Sequence, residues 1–167
     1  FDFQRGYRAM SELCRLEPEE ISRRLRQSHL VVDFESGVVD GPEFVKEVSR
    51  LLEVELSYDR FCEIWSSVFL PETLIPESMV EAIRKRYRTV LLSNTNPIHF
   101  AMLSATYPIL RHFDAYVLSH EVKAMKPLPA IYAKAIEEAR CPASNCFFTD
   151  DVPEYVEGAR RAGIDAV

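Results

Sequence analysis

The sequence of 167 residues lacks several features that would assign it to a class at once. No apolar run approaches the roughly 20 residues that a membrane-spanning helix needs. There is no basic excess, because 26 acidic residues outnumber 20 basic ones and the formal net charge is -6. We therefore expect neither a nucleic acid nor a membrane as a partner. What remains is a globular protein whose 47% content of hydrophobic residues is enough for a sizeable core.

The cysteines and histidines form no metal-binding pattern. The cysteines show neither Cys-x-x-Cys spacing nor a histidine at zinc-finger distance, and the histidines have no mutual spacing typical of a metal site or a catalytic triad. The expectation is therefore reduced thiols in a cytoplasmic protein. These residues are Cys14, Cys62, Cys141, Cys146, His29, His99, His112 and His120.

The first half of the chain has the periodicity of helices. Apolar residues recur at helical spacing over residues 4–14, 18–27 and 42–53, and Ser57 is placed to cap a fourth helix. The inward face of that fourth helix is aromatic and aliphatic, which is typical of a core and not of a cofactor site. The segment Phe34–Gly37 is predicted to be a turn.

From residue 77 onwards the period changes. After a helix over residues 77–86, short apolar runs alternate with helices, which predicts a parallel sheet covered on both faces. The fold class is therefore α/β, with an all-helical part before the boundary near Pro71 and Pro76. The predicted strands cover residues 89–92, 115–118, 147–149 and 164–167.

Polar residues follow these strands. In parallel sheets, functional groups gather at the carboxyl ends of the strands, so we expect Ser93, Asn94, Asp150 and Asp151 along one rim. The two adjacent aspartates need a compensating partner if they are partly desolvated, and the simplest one is Mg²⁺. The alternative is that one of them caps the helix that follows.

Ser93, Asn94 and Lys126 supply groups that could bind an anion. Ser93 and Asn94 offer a hydroxyl, an amide and free backbone donors ahead of a helix, although turn and capping chemistry would explain them equally well. Lys126 precedes Pro127 and supplies a positive charge, with Lys123 as the competing candidate and a solvated loop lysine as the ordinary alternative. Together with the acidic pair, these groups predict a phosphate site with a metal.

Three segments carry a resemblance to a known family. Leu91–Asn96, Met125–Tyr132 and Phe147–Asp151, with Glu157–Ala159 and Ala162–Gly163 behind them, resemble motifs II, III and IV of the haloacid dehalogenase-like hydrolases. Within that family, the chain resembles the sugar-phosphate phosphatases of the α-D-glucose-1-phosphate phosphatase type and the amino-terminal phosphatase domain of soluble epoxide hydrolases. The resemblance implies a Rossmann-like core over residues 77–167 and a helical cap over residues 4–76, with turns such as Phe34–Gly37 helping to close it.

The resemblance also implies roles for the rim residues. Ser93 would donate a hydrogen bond to the transferring phosphoryl group, with Asn94 beside it, and Lys126 would neutralise the developing charge. Asp150 would ligate Mg²⁺, and Asp151 would ligate it, act through water or orient its waters. The implied reaction is hydrolysis of a small phosphorylated metabolite through an aspartyl-phosphate.

Two features depart from the family pattern. The first family motif, an Asp-x-Asp after a strand, is absent from the printed sequence, since Asp2 falls where the cap would begin. We therefore expect the nucleophile upstream of Phe1, and the chain as printed would be inactive without it. In addition, Tyr155 stands where relatives often carry asparagine, close to the expected metal.

Other functions remain open at this point. A metal-independent haloacid dehalogenase would share the fold, but the adjacent acids have no evident role in displacing halide. A receiver domain also combines acids with a Lys-Pro, yet there the acids come first along the chain. A binding or regulatory module that has lost catalysis is the remaining alternative.

Overall fold

Ten helices and four short strands make up the computed structural model, which describes residues 1–167. The helices are α1 Phe3–Ser11, α2 Pro18–Ser28, α3 Leu30–Glu35, α4 Gly41–Leu52, α5 Tyr58–Ser66, α6 Glu77–Arg84, α7 Pro97–Thr106, α8 Ser119–Val122, α9 Pro129–Ala139 and α10 Pro153–Arg161. The strands are β1 Val90–Ser93, β2 Ala115–Leu118, β3 Phe147–Phe148 and β4 Asp165–Ala166. None of the helices combines the length and apolar character needed to cross a bilayer.

The helices α1–α5 enclose a core to which α7 adds one residue, Ile98. Phe34 and Phe44 are fully buried and stack with ring centroids 4.1 Å apart, and such aromatic pairs add to the free energy gained from burial alone. The predicted cap is confirmed, because the Ser57 hydroxyl accepts a hydrogen bond from the Arg60 amide at 3.3 Å. The buried residues of this helical core are Met10, Ile21, Leu25, Phe34, Phe44, Val45, Val48, Leu52, Phe61, Ile64 and Ile98.

The turn predicted at Phe34–Gly37 is wrong in its first half. Phe34 and Glu35 end α3, and the chain reverses only after them, with Gly37 at a positive φ of 69°. Six residues make less than two helical turns, so α3 is too short to show a periodic pattern. The burial of Phe34 in the helical core holds this short helix in place.

The strands are parallel as predicted, but they form two separate sheets of two strands. Val90 to Ser93 pair in register with Ala115 to Leu118, and β3 pairs with β4. The backbones of β1 and β3 share no hydrogen bond; instead, the side chain of Lys126 connects the ends of these two strands. A second core of α9, α10 and the strands packs around the fully buried residues Ile131 and Tyr132.

His99 joins the helical part to the αβ part. Its Nε2 lies 2.9 Å from the Trp65 carbonyl oxygen, and its Nδ1 lies 3.1 Å from the Asn96 amide nitrogen. Nε2 therefore donates to Trp65 and Nδ1 accepts from Asn96, so the ring is neutral. Burial lowers the pKa of His99 from 6.5 to about 4, although the Trp65 carbonyl acts in the opposite direction.

Gly37 makes a second contact between the two parts. A Cβ atom at this position would lie 2.1 Å from the carbonyl oxygen of His120 in α8, so only glycine allows this approach. His120 in turn lies with its Nδ1 3.0 Å from the carbonyl oxygen of Thr95. The turn after α3 therefore packs directly against α8 of the αβ part, next to the end of β1.

The depressed pKa of His99 predicts a loss of stability in acid. The unfolded chain takes up a proton on this imidazole near pH 6.5 and the folded chain only near pH 4, so the free energy of unfolding falls as the pH drops through that window. The slope for one proton is at most about 1.4 kcal/mol per pH unit. Urea unfolding of the wild type and His99→Gln between pH 4 and 7 measures it.

Comparing the wild type with His99→Gln removes the contribution of other titratable groups to the pH dependence of stability. Burial raises the pKa of Glu35, so its contribution to stability has the opposite sign and is lost as the pH rises. The wild type should lose more stability than His99→Gln on acidification. The same pH dependence in both proteins would contradict the assignment.

The contact at Gly37 predicts an unequal effect of two glycine substitutions. Gly37 and Gly163 both have a positive φ, but a Cβ at Gly163 would have its nearest neighbour at 3.7 Å. Gly163→Ala should cost about 1–2 kcal/mol from backbone strain alone. Gly37→Ala should cost roughly 1–3 kcal/mol more, because the methyl group also displaces the His120 carbonyl. Urea unfolding of both variants tests this, and equal losses would rule out the close contact.

Candidate functional site

Lys126 carries a buried positive charge at the carboxyl ends of β1 and β3. Its side chain is 7% exposed, and its Nζ lies 2.5 Å from Asp150 Oδ2 and 3.2 Å from the carbonyl oxygen of Leu92. The ring centroids of Tyr155 and Phe148 lie 4.9 and 5.7 Å from the same nitrogen. An ammonium group with so little water needs these partners, because an unpaired buried charge is very costly.

Asn94 fixes the backbone of Lys126 from the neighbouring strand end. Its Oδ1 accepts from the Lys126 amide at 2.8 Å, and its Nδ2 donates to the Lys126 carbonyl oxygen at 3.1 Å and to the Tyr155 hydroxyl at 3.3 Å. Thr95, which follows Asn94, is held by α8. The Ser119 hydroxyl accepts a hydrogen bond from the Thr95 amide and donates one to the Thr95 carbonyl oxygen, both at 2.9 Å. The segment after β1 is therefore rigidly placed.

The two aspartates have different surroundings. Asp150 is 10% exposed, and besides its contact with Lys126 it accepts a hydrogen bond from the Val152 amide through Oδ1 at 3.0 Å. The cation that Asp150 meets in the structure is the Lys126 ammonium, and its predicted role toward Mg²⁺ stays a prediction. The alternative that an aspartate caps the helix is wrong, because the N-cap residue of α10 is Val152 and no side chain caps this helix. Asp151 is exposed, and its side chain makes no hydrogen bond or ion pair.

Lys126 contacts both Asn94 and Asp150, as expected for residues that lie together at the carboxyl ends of the strands. Ser93 ends β1 on the same rim, where its half-buried hydroxyl lies 3.4 Å from the Asn94 carbonyl oxygen and has no stronger partner. The competing residue Lys123 is exposed, so Lys126 is the lysine that the fold places at the strand ends. The roles of these residues toward a substrate remain predictions.

Sequence reasoning missed how Tyr155 is held. The Tyr132 hydroxyl donates to the Tyr155 carbonyl oxygen at 2.7 Å, and Tyr132 itself is fully buried beneath α10. Burial, with a smaller contribution from the charge of Asp150, raises the pKa of Tyr132 to about 12, so this hydroxyl remains a donor. The only feature of the sequence that pointed to Tyr155 was its departure from the family pattern. Its contacts with Asn94 and Tyr132 could not be predicted, because those residues lie far from it in the sequence.

The carboxylates of Asp150 and Asp151 suit a magnesium ion by their chemistry. Mg²⁺ binds through one or two carboxylates and completes its shell with water and phosphate oxygens. No three His, Cys, Asp or Glu side chains gather closely enough anywhere in the chain to hold a metal ion by themselves. The donor set therefore fits a cation that shares its ligands with a bound phosphate, and not one enclosed by protein alone.

Comparison with known proteins agrees with this geometry. The family model of the haloacid dehalogenase-like hydrolases matches residues 14–163. A D-ribitol-5-phosphate phosphatase of Bacteroides thetaiotaomicron is 25% identical over 148 residues, which cover 85% of this chain and 72% of that protein. A phosphatase of Mycobacterium tuberculosis is 28% identical over 180 residues, which cover 99% of this chain and 79% of that protein.

Solved structures show the same fold. A haloacid dehalogenase family enzyme of B. thetaiotaomicron, in complex with magnesium and inorganic phosphate, superposes with a TM-score of 0.84 at 22% identity and covers 98% of this chain and 83% of that chain. The L-2-haloacid dehalogenase of Xanthobacter autotrophicus superposes with a TM-score of 0.66 at 20% identity. The match covers 99% of this chain and 71% of that chain.

The buried pair of Lys126 and Asp150 predicts strong energetic coupling. Lys126→Met leaves the Asp150 carboxylate without its cation and should destabilise the protein by about 3–5 kcal/mol. The double variant with Asp150→Asn should be destabilised by clearly less than the sum of the two single variants.

Urea unfolding in a double-mutant cycle measures this coupling. The exposed pair Glu81–Lys85, with 2.9 Å between charged atoms, is the control and should show a coupling below about 1 kcal/mol. Equal coupling in the two pairs would contradict the buried position of Lys126.

Proposed function

Since the chain belongs to the haloacid dehalogenase-like hydrolases, we propose that it is a Mg²⁺-dependent phosphomonoesterase acting on a small phosphorylated metabolite. The observation that supports this most is the buried ammonium of Lys126 at the strand ends, held by Asp150 and Leu92 and bracketed by Asn94. A fixed positive charge in a poorly solvated place stabilises the charge that develops on a transferring phosphoryl group. The phosphatases to which the chain is similar support the same reaction class.

Each rim residue has a role in this proposal. Ser93 donates its hydroxyl proton to a phosphoryl oxygen, which agrees with the lack of a strong partner for that hydroxyl. Lys126 neutralises the phosphoryl charge, and the side chain of Asn94 positions Lys126 while its neighbouring backbone faces the phosphate. Asp150 and Asp151 would hold Mg²⁺, which when bound neutralises phosphate charge and orients water.

The proposed reaction proceeds through an aspartyl-phosphate. Its nucleophile is an aspartate that we place upstream of Phe1, because no aspartate of the printed chain lies at a strand end with a second acid two positions on. Water then hydrolyses the phosphorylated aspartate, which divides a difficult displacement into two easier steps. The residues described above bind and orient the phosphoryl group in both steps.

The helical part fits the role of a cap. We place this cap at residues 4–76 and the core that carries the rim at residues 77–167. Two observations support this division: all buried residues of the helical core except Ile98 come from α1–α5, and Gly37 contacts His120 beside the end of β1. A cap in this position would exclude water from the phosphoryl group and would present side chains to the rest of the metabolite.

Phosphate release from p-nitrophenyl phosphate by the full-length protein tests the proposal. Activity should disappear with EDTA and return with Mg²⁺, and Asp150→Asn and Lys126→Met should each lower kcat about 100-fold or more, as removal of one stabilising charge does elsewhere. Lys85→Met, at the exposed pair Glu81–Lys85 beside the end of α6, is the control and should keep full activity.

Two results would overturn the proposal. Phosphate release that is unaffected by EDTA or by Asp150→Asn would remove the metal assignment. Chloride release from 2-chloropropionate without added metal would identify a dehalogenase instead.

A further inference from the structure

Two cysteine thiols lie in contact on the surface, away from the rim. Cys141 Sγ and Cys146 Sγ are 3.6 Å apart, on either side of a short 3₁₀ segment, Ala143–Asn145, that makes one turn. Cys141 follows α9, and Cys146 directly precedes β3, where its carbonyl oxygen accepts from the Asp165 amide at 3.3 Å. Neither residue takes part in the proposed phosphatase chemistry.

The turn holds the two thiols together. The Asn145 amide donates to the Pro142 carbonyl oxygen at 2.9 Å, and the Cys146 amide donates to the Ala143 carbonyl oxygen at 3.0 Å. Both cysteines are half-buried, while Pro142, Ser144 and Asn145 between them are exposed. A small molecule can therefore reach the pair from solvent, and the backbone of the turn keeps the sulfurs close.

A metal site does not explain this pair. Soft metals take thiolates, but a closed site needs three or four ligands. No cluster of three His, Cys, Asp or Glu side chains exists in the chain, so the pair has no further ligand. Close thiols without a third ligand suit disulfide chemistry instead, because the second thiol is already in place for intramolecular attack.

We propose that Cys141 and Cys146 are a modification site that forms an internal disulfide by exchange with a low-molecular-weight disulfide. The Cys141 thiolate attacks one sulfur of the small disulfide, breaks its S–S bond and releases one thiolate, which is protonated. Cys146 loses its proton and attacks the Cys141 sulfur of the mixed disulfide, releasing the second small thiol. Two protein thiols are thereby oxidised and one small disulfide is reduced to two thiols.

The surroundings set the order of the two steps. Burial, followed by the hydrogen bond with Cys141, raises the pKa of Cys146 to about 11, so this thiol is mostly protonated at neutral pH. Only the thiolate is an effective nucleophile. Cys146 Sγ also lies 3.6 Å from the carbonyl oxygen of Pro142, to which only a protonated thiol can donate. Both observations favour Cys141 as the thiol that attacks the small disulfide, with Cys146 beside it as the resolving thiol.

Oxidised glutathione and peptide mapping test the proposal on the full-length protein. Trypsin releases both cysteines in one peptide, residues 141–160, whereas Cys14 and Cys62 fall in other peptides and serve as internal controls without a neighbouring thiol. After treatment and alkylation, peptide 141–160 of the wild type should have lost two hydrogens and should carry no alkyl group. Dithiothreitol should restore two alkylated thiols.

Variants of each cysteine separate the two steps. Cys146→Ser should stop at a mixed disulfide and carry one glutathione on Cys141, while Cys141→Ser should react more slowly, because burial still raises the pKa of its remaining thiol. Alkylation of both thiols after treatment, or a stable glutathione adduct on the wild-type peptide, would overturn the proposal. The readout is a mass, so it is independent of phosphatase activity.

Discussion

The structure of the rim depends on one constraint, the need to compensate a buried ammonium group. Lys126 has lost nearly all of its water, so its charge must be met by protein groups. Asp150 supplies the counter-charge, Leu92 a carbonyl dipole, and Tyr155 and Phe148 the faces of their rings. These groups come from both two-stranded sheets, and the lysine therefore defines how the ends of β1 and β3 are placed relative to each other.

The same contacts of Lys126 bear on the phosphate site that we propose. Asp150 uses one oxygen for Lys126 and the other for the Val152 amide, and the ammonium has one N–H beyond those that Asp150 and Leu92 accept. A phosphoryl group beside Lys126 would take up that donor in a place where water cannot screen the attraction. Asp151 differs from Asp150 in this respect, because it is exposed and its side chain makes no hydrogen bond or ion pair.

The sequence was sufficient for the local elements and for the residues of the rim, but not for the contacts between them. Helical periodicity and short apolar runs located most helices and all four strands, because both signals arise from neighbouring residues. The contact of Asn94 with Tyr155 spans 61 positions and that with Lys126 spans 32, so no local pattern reveals either. The division into two sheets and the burial of His99 also follow from tertiary packing, which composition and spacing do not encode.

The first turn of α7 contacts the helical part and directly follows the segment of the rim that contains Asn94. Ile98 is buried in the helical core, and His99 donates to the carbonyl oxygen of Trp65, although both belong to a helix of the αβ part. Asn96, which caps this helix and contacts the His99 ring, stands two positions after Asn94, the residue that brackets Lys126. A movement of the helical part must therefore either break the contacts at Ile98 and His99 or pull on the segment that positions the lysine. Because these contacts are buried and paired, breaking them would be costly, and α7 therefore holds the helical part and the segment around Asn94 in a fixed relation.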